Sequence, residues 1–271
     1  MKIKFYGTAA AEGIPALFCS CDTCNEVRRI KGKDIRTRQQ ISIDDFIVVD
    51  FPPDVYMHTL MGLDMTKIKH ILFTHSHMDH LDADEITLRG FGFSYPDEND
   101  PLYIYGNKEV LTAIKRSIDL VDINTYKYIK LCEIKAFEEF KIADYSILPL
   151  EAQHKPDENC LLFYIEKDGK GYLHGNDTGL FPLKNYEALK GKKIDIAVLD
   201  CCFGKMFSDV SHMGIESCRK VKNLLQQSCN CKNAKFVLTH FSHNVRPIQK
   251  ELEELAKDEF VVAYDGIEFE I

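Results

Sequence analysis

Thr74-His75-Ser76-His77-Met78-Asp79-His80 stands where an apolar strand, Ile68–Thr74, runs out and before any helical pattern begins. It sets four candidate metal ligands, His75, His77, Asp79 and His80, within six residues. In extended or turning backbone the side-chain direction repeats every two residues, so His75 and His77 point to one side and can reach one ion. Asp79 and His80 follow the turn and can reach a second ion beside it. Imidazoles with a carboxylate suit zinc, manganese or iron. One loop histidine would mean little, but four ligands at this spacing are specific, because each added match multiplies the improbability.

Working outward, three more residues sit at strand ends from which they could complete two coordination shells. They are His154 after Ser146–Leu150, Asp177 in Gly175-Asn176-Asp177-Thr178-Gly179, and His240 after Lys235–Thr239. Ile71-Leu72-Phe73-Thr74-His75-Ser76-His77 has a weak echo in Phe236-Val237-Leu238-Thr239-His240-Phe241-Ser242-His243. Each is an apolar strand that leaves through Thr into paired histidines. In an αββα sandwich of two related halves, such strand ends could face one another across a shared edge.

The remaining pattern fits that α/β architecture. Further strands are expected at Lys2–Tyr6, Phe46–Asp50, Leu102–Tyr105, Tyr128–Ile134, Leu161–Ile165, Gly171–His174 and Ile194–Leu199. Helical spacing marks Val55–Leu63, Lys108–Val121, about Gly214–Gln227 and Arg246–Lys257. The chain is expected to close on a strand, Phe260–Ile271, folded into a hairpin at Asp265-Gly266. Phe91–Pro101, rich in turn formers, reads as a loop long enough to form part of a lid. No linker-like stretch divides the 271 residues, so one domain, 1–271, is expected.

The ligand pattern resembles the metallo-β-lactamase superfamily, whose hallmark is H-x-H-x-D-H followed by a distant His, an Asp and a final His. The resemblance spans nearly the whole chain and implies a four-layer αββα sandwich. It implies that His75, His77 and His154 hold one divalent metal, that Asp79, His80 and His240 hold the other, and that Asp177 bridges them. Asp50 matches the superfamily's early aspartate and would orient a ligand histidine. Two such ions about 3.5–4 Å apart activate a water at neutral pH and clamp the oxygens of the attacked group, which is hydrolytic chemistry. Redox diiron relatives typically place Glu where His77 stands, so oxygen or nitric oxide chemistry is disfavoured.

Cys19-Ser20-Cys21-Asp22-Thr23-Cys24 offers three thiolates to a tetrahedral ion, and His243 is the candidate fourth ligand of a closed, structural zinc site. With Gly7-Thr8-Ala9-Ala10-Ala11-Glu12-Gly13-Ile14-Pro15 leading into it, this cluster resembles the PhnP branch. Those phosphodiesterases open a cyclic phosphodiester of a ribose phosphate. PqqB-type proteins of cofactor biosynthesis share a comparable cluster. Cys132, Cys160, Cys201, Cys202, Cys218, Cys229 and Cys231 read as packing or incidental residues.

Hydrolysis also needs a proton for the leaving alkoxide. The resemblance places a general-acid histidine near Ser211-His212-Met213-Gly214, making His212 the candidate, with Asp79 also in the reacting centre; the plainer reading of Ser211 and His212 is a helix cap. His174 is expected to pack beside the Asp177 loop, and His58 and His70 to be surface or satisfied core residues. Arg36 and Arg38 could grip a terminal phosphate, but the stretch reads rather as a solvated loop.

The leading expectation is a metal-dependent phosphodiesterase for a small cyclic or nucleotide-like phosphodiester. An RNase Z-like tRNA processing enzyme, lactone or thioester hydrolysis, and a PqqB-like non-catalytic carrier are its rivals. A formal charge of −8, from 34 Lys and Arg against 42 Asp and Glu, disfavours nucleic acid as a partner. The sequence lacks both a signal-peptide pattern and a long apolar run, so a cytoplasmic protein without membrane contact is expected, with a homodimer as the base-rate assembly.

Overall fold

The computed structural model describes residues 1–90, 92–245 and 248–271. The expected loop start at Phe91 and helix start at Arg246 lie outside the described residues. Strands β1 (Lys2–Gly7), β2 (Gln40–Ile43), β3 (Ile47–Val49), β4 (His70–Leu72), β5 (Leu102–Gly106) and β6 (Ile129–Glu133) belong to one sheet. Strands β7 (Phe140–Ile142), β8 (Tyr145–Glu151), β9 (Leu161–Lys167), β10 (Lys170–Gly175), β11 (Ile196–Asp200), β12 (Lys235–Thr239) and β13 (Val261–Val262) form the other. Strand β14 (Glu268–Glu270) returns to the first sheet beside β1, giving two seven-stranded sheets.

Alternating side chains explain the layering. In β11, Ile196 and Val198 enter the core between the sheets, whereas Ala197 and Leu199 face the helices behind it. Helices α1 (Asp22–Ile30), α2 (Val55–Leu60), α3 (Ala83–Ile86) and α4 (Lys108–Val121) occur in the first half, followed by α5 (Leu183–Ala188), α6 (Ile215–Ser228) and α7 (Gln249–Ala256). One core lies between the first sheet and α2, α3 and α4, with Ile71, Phe73, Ile104 and Ile114; another joins the second sheet to α5, α6 and α7 through Leu199, Leu225 and Leu252. The expected four-layer αββα sandwich is therefore present. Among the described residues, no helix is long and apolar enough to cross a membrane.

The ending departs from expectation. β13 and β14 are not a hairpin but edge strands of opposite sheets. Asp265 holds the crossing segment: it accepts bonds from the Thr8 hydroxyl (2.7 Å) and the Thr37 amide (2.6 Å), while the Gly266 amide donates to Phe5 O (2.7 Å). These contacts draw the turn across the sandwich rather than letting its arms pair. The expected lid also differs. Ser94, Tyr95, Pro96 and Asp97 line a cavity with Phe51 and Leu88, away from the metal-ligand cleft.

His58, on α2, is a satisfied core residue. It is fully buried between Gln40 Oε1 (2.6 Å) and Thr37 Oγ1 (2.8 Å), and burial pushes its pKa down to about 4. The unfolded chain therefore takes up this proton first as pH falls. Stability conferred by neutral His58 is present above about pH 6.5 and is lost on the way down to pH 4, by about 3 kcal/mol. Urea titrations across that range should show this loss. His58→Gln should flatten the slope; an unchanged slope would mean that other groups set it.

Candidate metal centre

The candidate ligands lie where strands end. β3, β4 and β5 are parallel neighbours, as are β10, β11 and β12, so their carboxyl ends open on one edge of the sandwich. Asp50 follows β3, His75 lies just beyond β4, Asp177 follows β10, Asp200 ends β11 and His240 follows β12. Asp50, Asp177 and His240 have φ of 65°, 51° and 61°, the left-handed region that L-residues seldom occupy. Each turns the chain sharply as it leaves its strand. Such conformations persist where surrounding contacts over-determine them.

Two donor groups share Asp177. His77 Nδ1 lies 3.0 Å from both His75 Nε2 and His154 Nε2. Asp79, His80, Asp177 and His240 make the other group. Asp177 reaches His75 Nε2 at 3.5 Å and His80 Nε2 at 2.5 Å through Oδ2, and His240 Nε2 at 2.9 Å through Oδ1. Asp79 approaches His80 Nε2 at 3.2 Å and His240 Nε2 at 3.8 Å.

The far nitrogens of three rings are held from behind. His80 Nδ1 donates to Asp50 Oδ2 (2.7 Å), His75 Nδ1 to Thr74 Oγ1 (3.0 Å) and His154 Nδ1 to Ser211 O (3.0 Å). In the neutral ring that bond puts the proton on Nδ1 and leaves Nε2 as the lone pair facing the cluster; on His80 a cation would take the place of the second proton that Asp177 and Asp79 favour. A proton on His77 Nδ1 could serve only one of its two nitrogen neighbours, whereas a cation satisfies all three. His80 Nε2, His240 Nε2 and Asp177 Oδ1 are buried, and the close approaches among them lack hydrogen-bond geometry. Converging lone pairs, paired carboxylates and orphaned buried donors fit divalent metal ions.

Charge follows the same division. Burial holds the His75 and His77 pKa values below the ordinary imidazole range, keeping both neutral. Burial also opposes charge on His80 and His240, but the carboxylates, led by Asp177, outweigh it and raise both. Conversely, burial disfavours ionised Asp177, yet His240 and His80 draw its pKa well below the usual carboxylate value. The cluster therefore keeps its acidic ligands ionised.

His212 lies on the cleft wall, with Nδ1 2.7 Å from Asp200 Oδ2 and 3.5 Å from Asp177 Oδ1. It does not cap a helix; the N-cap of α6 is Gly214, and no side chain caps that end. Burial lowers the imidazole pKa, but Asp200 and then Asp177 overcome that and raise it. Asp200 is fully buried and also accepts from the Cys202 amide (2.9 Å). Sequence reading passed over Asp200, although a carboxylate ending an apolar strand was the signal that marked Asp50.

Cys19, Cys21, Cys24 and His243 also meet, with His243 Nδ1 3.6 Å from Cys21 Sγ and 3.5 Å from Cys24 Sγ. The Cys24 amide and then His243 draw the Cys21 thiol down to about 6; burial pushes Cys24 up to about 11.

Other expectations need correction. Arg36 neither meets solvent nor faces the cleft. It is buried, donating to Thr8 Oγ1 (2.7 Å), Ala263 O (2.6 Å) and Gln249 Oε1 (2.5 Å), with its guanidinium over the Phe241 ring. Arg38 pairs with Asp54 at 3.2 Å. His174 is buried beside Asp177 as expected, its Nδ1 bonded to the Tyr172 hydroxyl (2.9 Å), whereas Cys202, read as packing, lines the cleft. Sequence reading missed Glu158. It accepts from the Ser76 amide (2.8 Å), Asn107 Nδ2 (2.8 Å) and Lys155 Nζ (3.0 Å), tying the loop of His75 and His77 to that of His154. Nothing local in its sequence marks that role.

The family model described as beta-lactamase superfamily domain matches residues 47–241, a span containing every ligand of both groups. The chain belongs to the β-lactamase superfamily. Within that superfamily it is a metal-dependent hydrolase, and its His and Asp clusters are those of a divalent-metal protein. A diphosphatase of the PhnP family superposes with a TM-score of 0.77 at 19% identity, covering 100% of this chain and 97% of that one. Zinc-bound PqqB from Methylobacterium extorquens gives 0.76 at 17% identity, with 100% of both chains covered. At these identities the likeness is one of fold. Among curated proteins, an octanoyltransferase of Porphyromonas gingivalis (strain ATCC BAA-308 / W83) is 26% identical over 278 residues, covering 99% of this chain and 51% of that protein. The chain thus spans about half the length of that relative.

Proposed function

We propose that this superfamily member is a phosphodiesterase acting on a small cyclic or nucleotide-like phosphodiester, with a dinuclear metal centre. The observation that carries the reading is Asp177, whose Oδ2 faces His75 of one donor group and His80 of the other while Oδ1 faces His240, with His212 standing over the same cleft. In this reading His75, His77 and His154 would hold one divalent ion, Asp79, His80 and His240 would hold the other, and Asp177 would be shared by both. Zinc or manganese, or iron, suits the N and O donors. Bound there, the ions supply a nucleophilic hydroxide at neutral pH and neutralise the phosphoryl oxygens.

The protein's own residues do the rest. Asp50 and Thr74 hold two imidazoles in the tautomer that presents Nε2 inward. Asp200 accepts the Nδ1 proton of His212, which directs Nε2 and its proton toward a leaving alkoxide oxygen. The raised pKa of His212 keeps that proton in place near neutral pH.

Hydrolysis of bis(p-nitrophenyl) phosphate by protein loaded with manganese or zinc, abolished by chelation and restored by metal, tests the reading. No turnover with any metal would favour a non-catalytic carrier. The octanoyltransferase relative favours a second reading, cleavage of an acyl thioester on the same centre. Half of that protein lies outside the match, so its activity has no assigned place in the shared half. Faster turnover of an octanoyl thioester than of the diester would put this reading first.

Cys19, Cys21, Cys24 and His243 would hold a structural zinc, since four ligands close a tetrahedral shell. Cys21→Ser should lower bound zinc by about one per chain and reduce the thermal midpoint while leaving residual activity. Unchanged zinc content by elemental analysis would remove the assignment.

A further inference from the structure

Glu12 belongs to neither ligand group, yet it lines the roughly 430 Å³ cleft above them. A rigid turn presents it. The Ala10 amide donates to Phe241 O (3.0 Å), the Gly13 amide to Ala10 O (3.0 Å), and Arg38 Nε to Ala11 O (2.8 Å). One carboxylate oxygen, Oε1, accepts from the Ser242 hydroxyl, whose oxygen in turn receives the Asn244 amide (3.2 Å) and Nδ2 (3.0 Å). The Glu12 side chain keeps 28% of its surface exposed. Its neighbouring ion-pair partner is His243, at 3.7 Å, and among the described residues no lysine or arginine lines the cleft.

Asp79 and Asp177 each have two or more imidazoles against them; Glu12 has one, His243 at 3.7 Å beside Oε1, and the carboxylate lines the substrate space. A carboxylate in that setting accepts hydrogen bonds strongly from hydroxyl donors and repels a second anion. We infer that Glu12 is a specificity-determining residue, selecting a phosphodiester whose alcohol side bears free hydroxyls and rejecting one that bears a further phosphate. The inference rests on the phosphodiesterase reading. Specificity of this kind arises from both parts, the bond made to the right ester and the repulsion of the wrong one.

Three chromogenic diesters test it: thymidine 5′-(p-nitrophenyl phosphate), its 3′-phosphorylated derivative, and bis(p-nitrophenyl) phosphate. In Glu12→Ala, the kcat/KM ratio of the first to the third should fall about tenfold, chiefly through KM, as expected for losing a charged hydrogen bond. Glu12→Gln keeps the side-chain shape and should raise the ratio of the 3′-phosphorylated ester to the first about tenfold. Ratios within twofold of the unmodified protein in both variants would overturn the inference while leaving the phosphodiesterase reading standing. Failure of the unmodified protein to cleave any of the three would overturn both. Metal content and thermal midpoint identify a misfolded Glu12→Ala, in which case Glu12→Gln decides.

Discussion

Asp177→Asn is expected to lower kcat/KM for bis(p-nitrophenyl) phosphate at least about a thousandfold, roughly 4 kcal/mol of transition-state stabilisation, and to reduce the metal bound per chain. Asn is nearly isosteric and tolerates the left-handed backbone at this position, where φ is 51°, so the variant isolates the charge. One carboxylate faces His75 and His80 through Oδ2 and His240 through Oδ1. An amide offers one oxygen and turns an NH₂ toward lone pairs that need a cation. Elemental analysis together with steady-state rates reads both effects. Full metal content with wild-type turnover would mean that the two groups act independently of Asp177, and the dinuclear reading would fail.

The second large effect concerns the leaving group. His212→Ala and Asp200→Asn should each depress kcat by about a hundredfold or more with metals retained, the usual scale for a lost general acid. Both should spare p-nitrophenyl esters relative to alkyl esters, because p-nitrophenolate departs with little help. The pH profile carries the sign. Protonated His212 is the active form and its pKa is raised, so activity should be lost as pH rises through that value. Removing the Asp200 charge takes away the first-named support for the proton, and the alkaline limb should move to lower pH. The double variant should cost little more than either single one, since both act through one proton. An unmoved alkaline limb in Asp200→Asn would show that Asp200 does not set the His212 charge.

Much of the site was legible because its chemistry is written locally. His75, His77, Asp79 and His80 sit in one short turn, and His154, Asp177 and His240 each follow an apolar strand. Asp200 follows the same pattern but stands alone between Leu199 and Cys201, with no neighbouring ligand to draw attention to it. Glu158 was illegible for a different reason: its partners Ser76 and Asn107 lie 82 and 51 residues away. Arg36 shows the opposite failure. Its neighbours Asp34, Lys33 and Arg38 suggest a solvated loop, yet Thr8, Gln249 and Ala263 bury it from distant parts of the chain.

By itself the sequence determined the layered α/β pattern, the donor chemistry of the metal centre and the cysteine cluster, because periodicity and ligand spacing are properties of neighbouring residues. Only the tertiary structure decided that the last two strands join opposite sheets, that Asp200 grips His212, and that Glu12 looks into the cleft. Those outcomes depend on which strand ends meet in space. Hydrogen bonds between residues far apart in the chain settle that, and no local pattern records them.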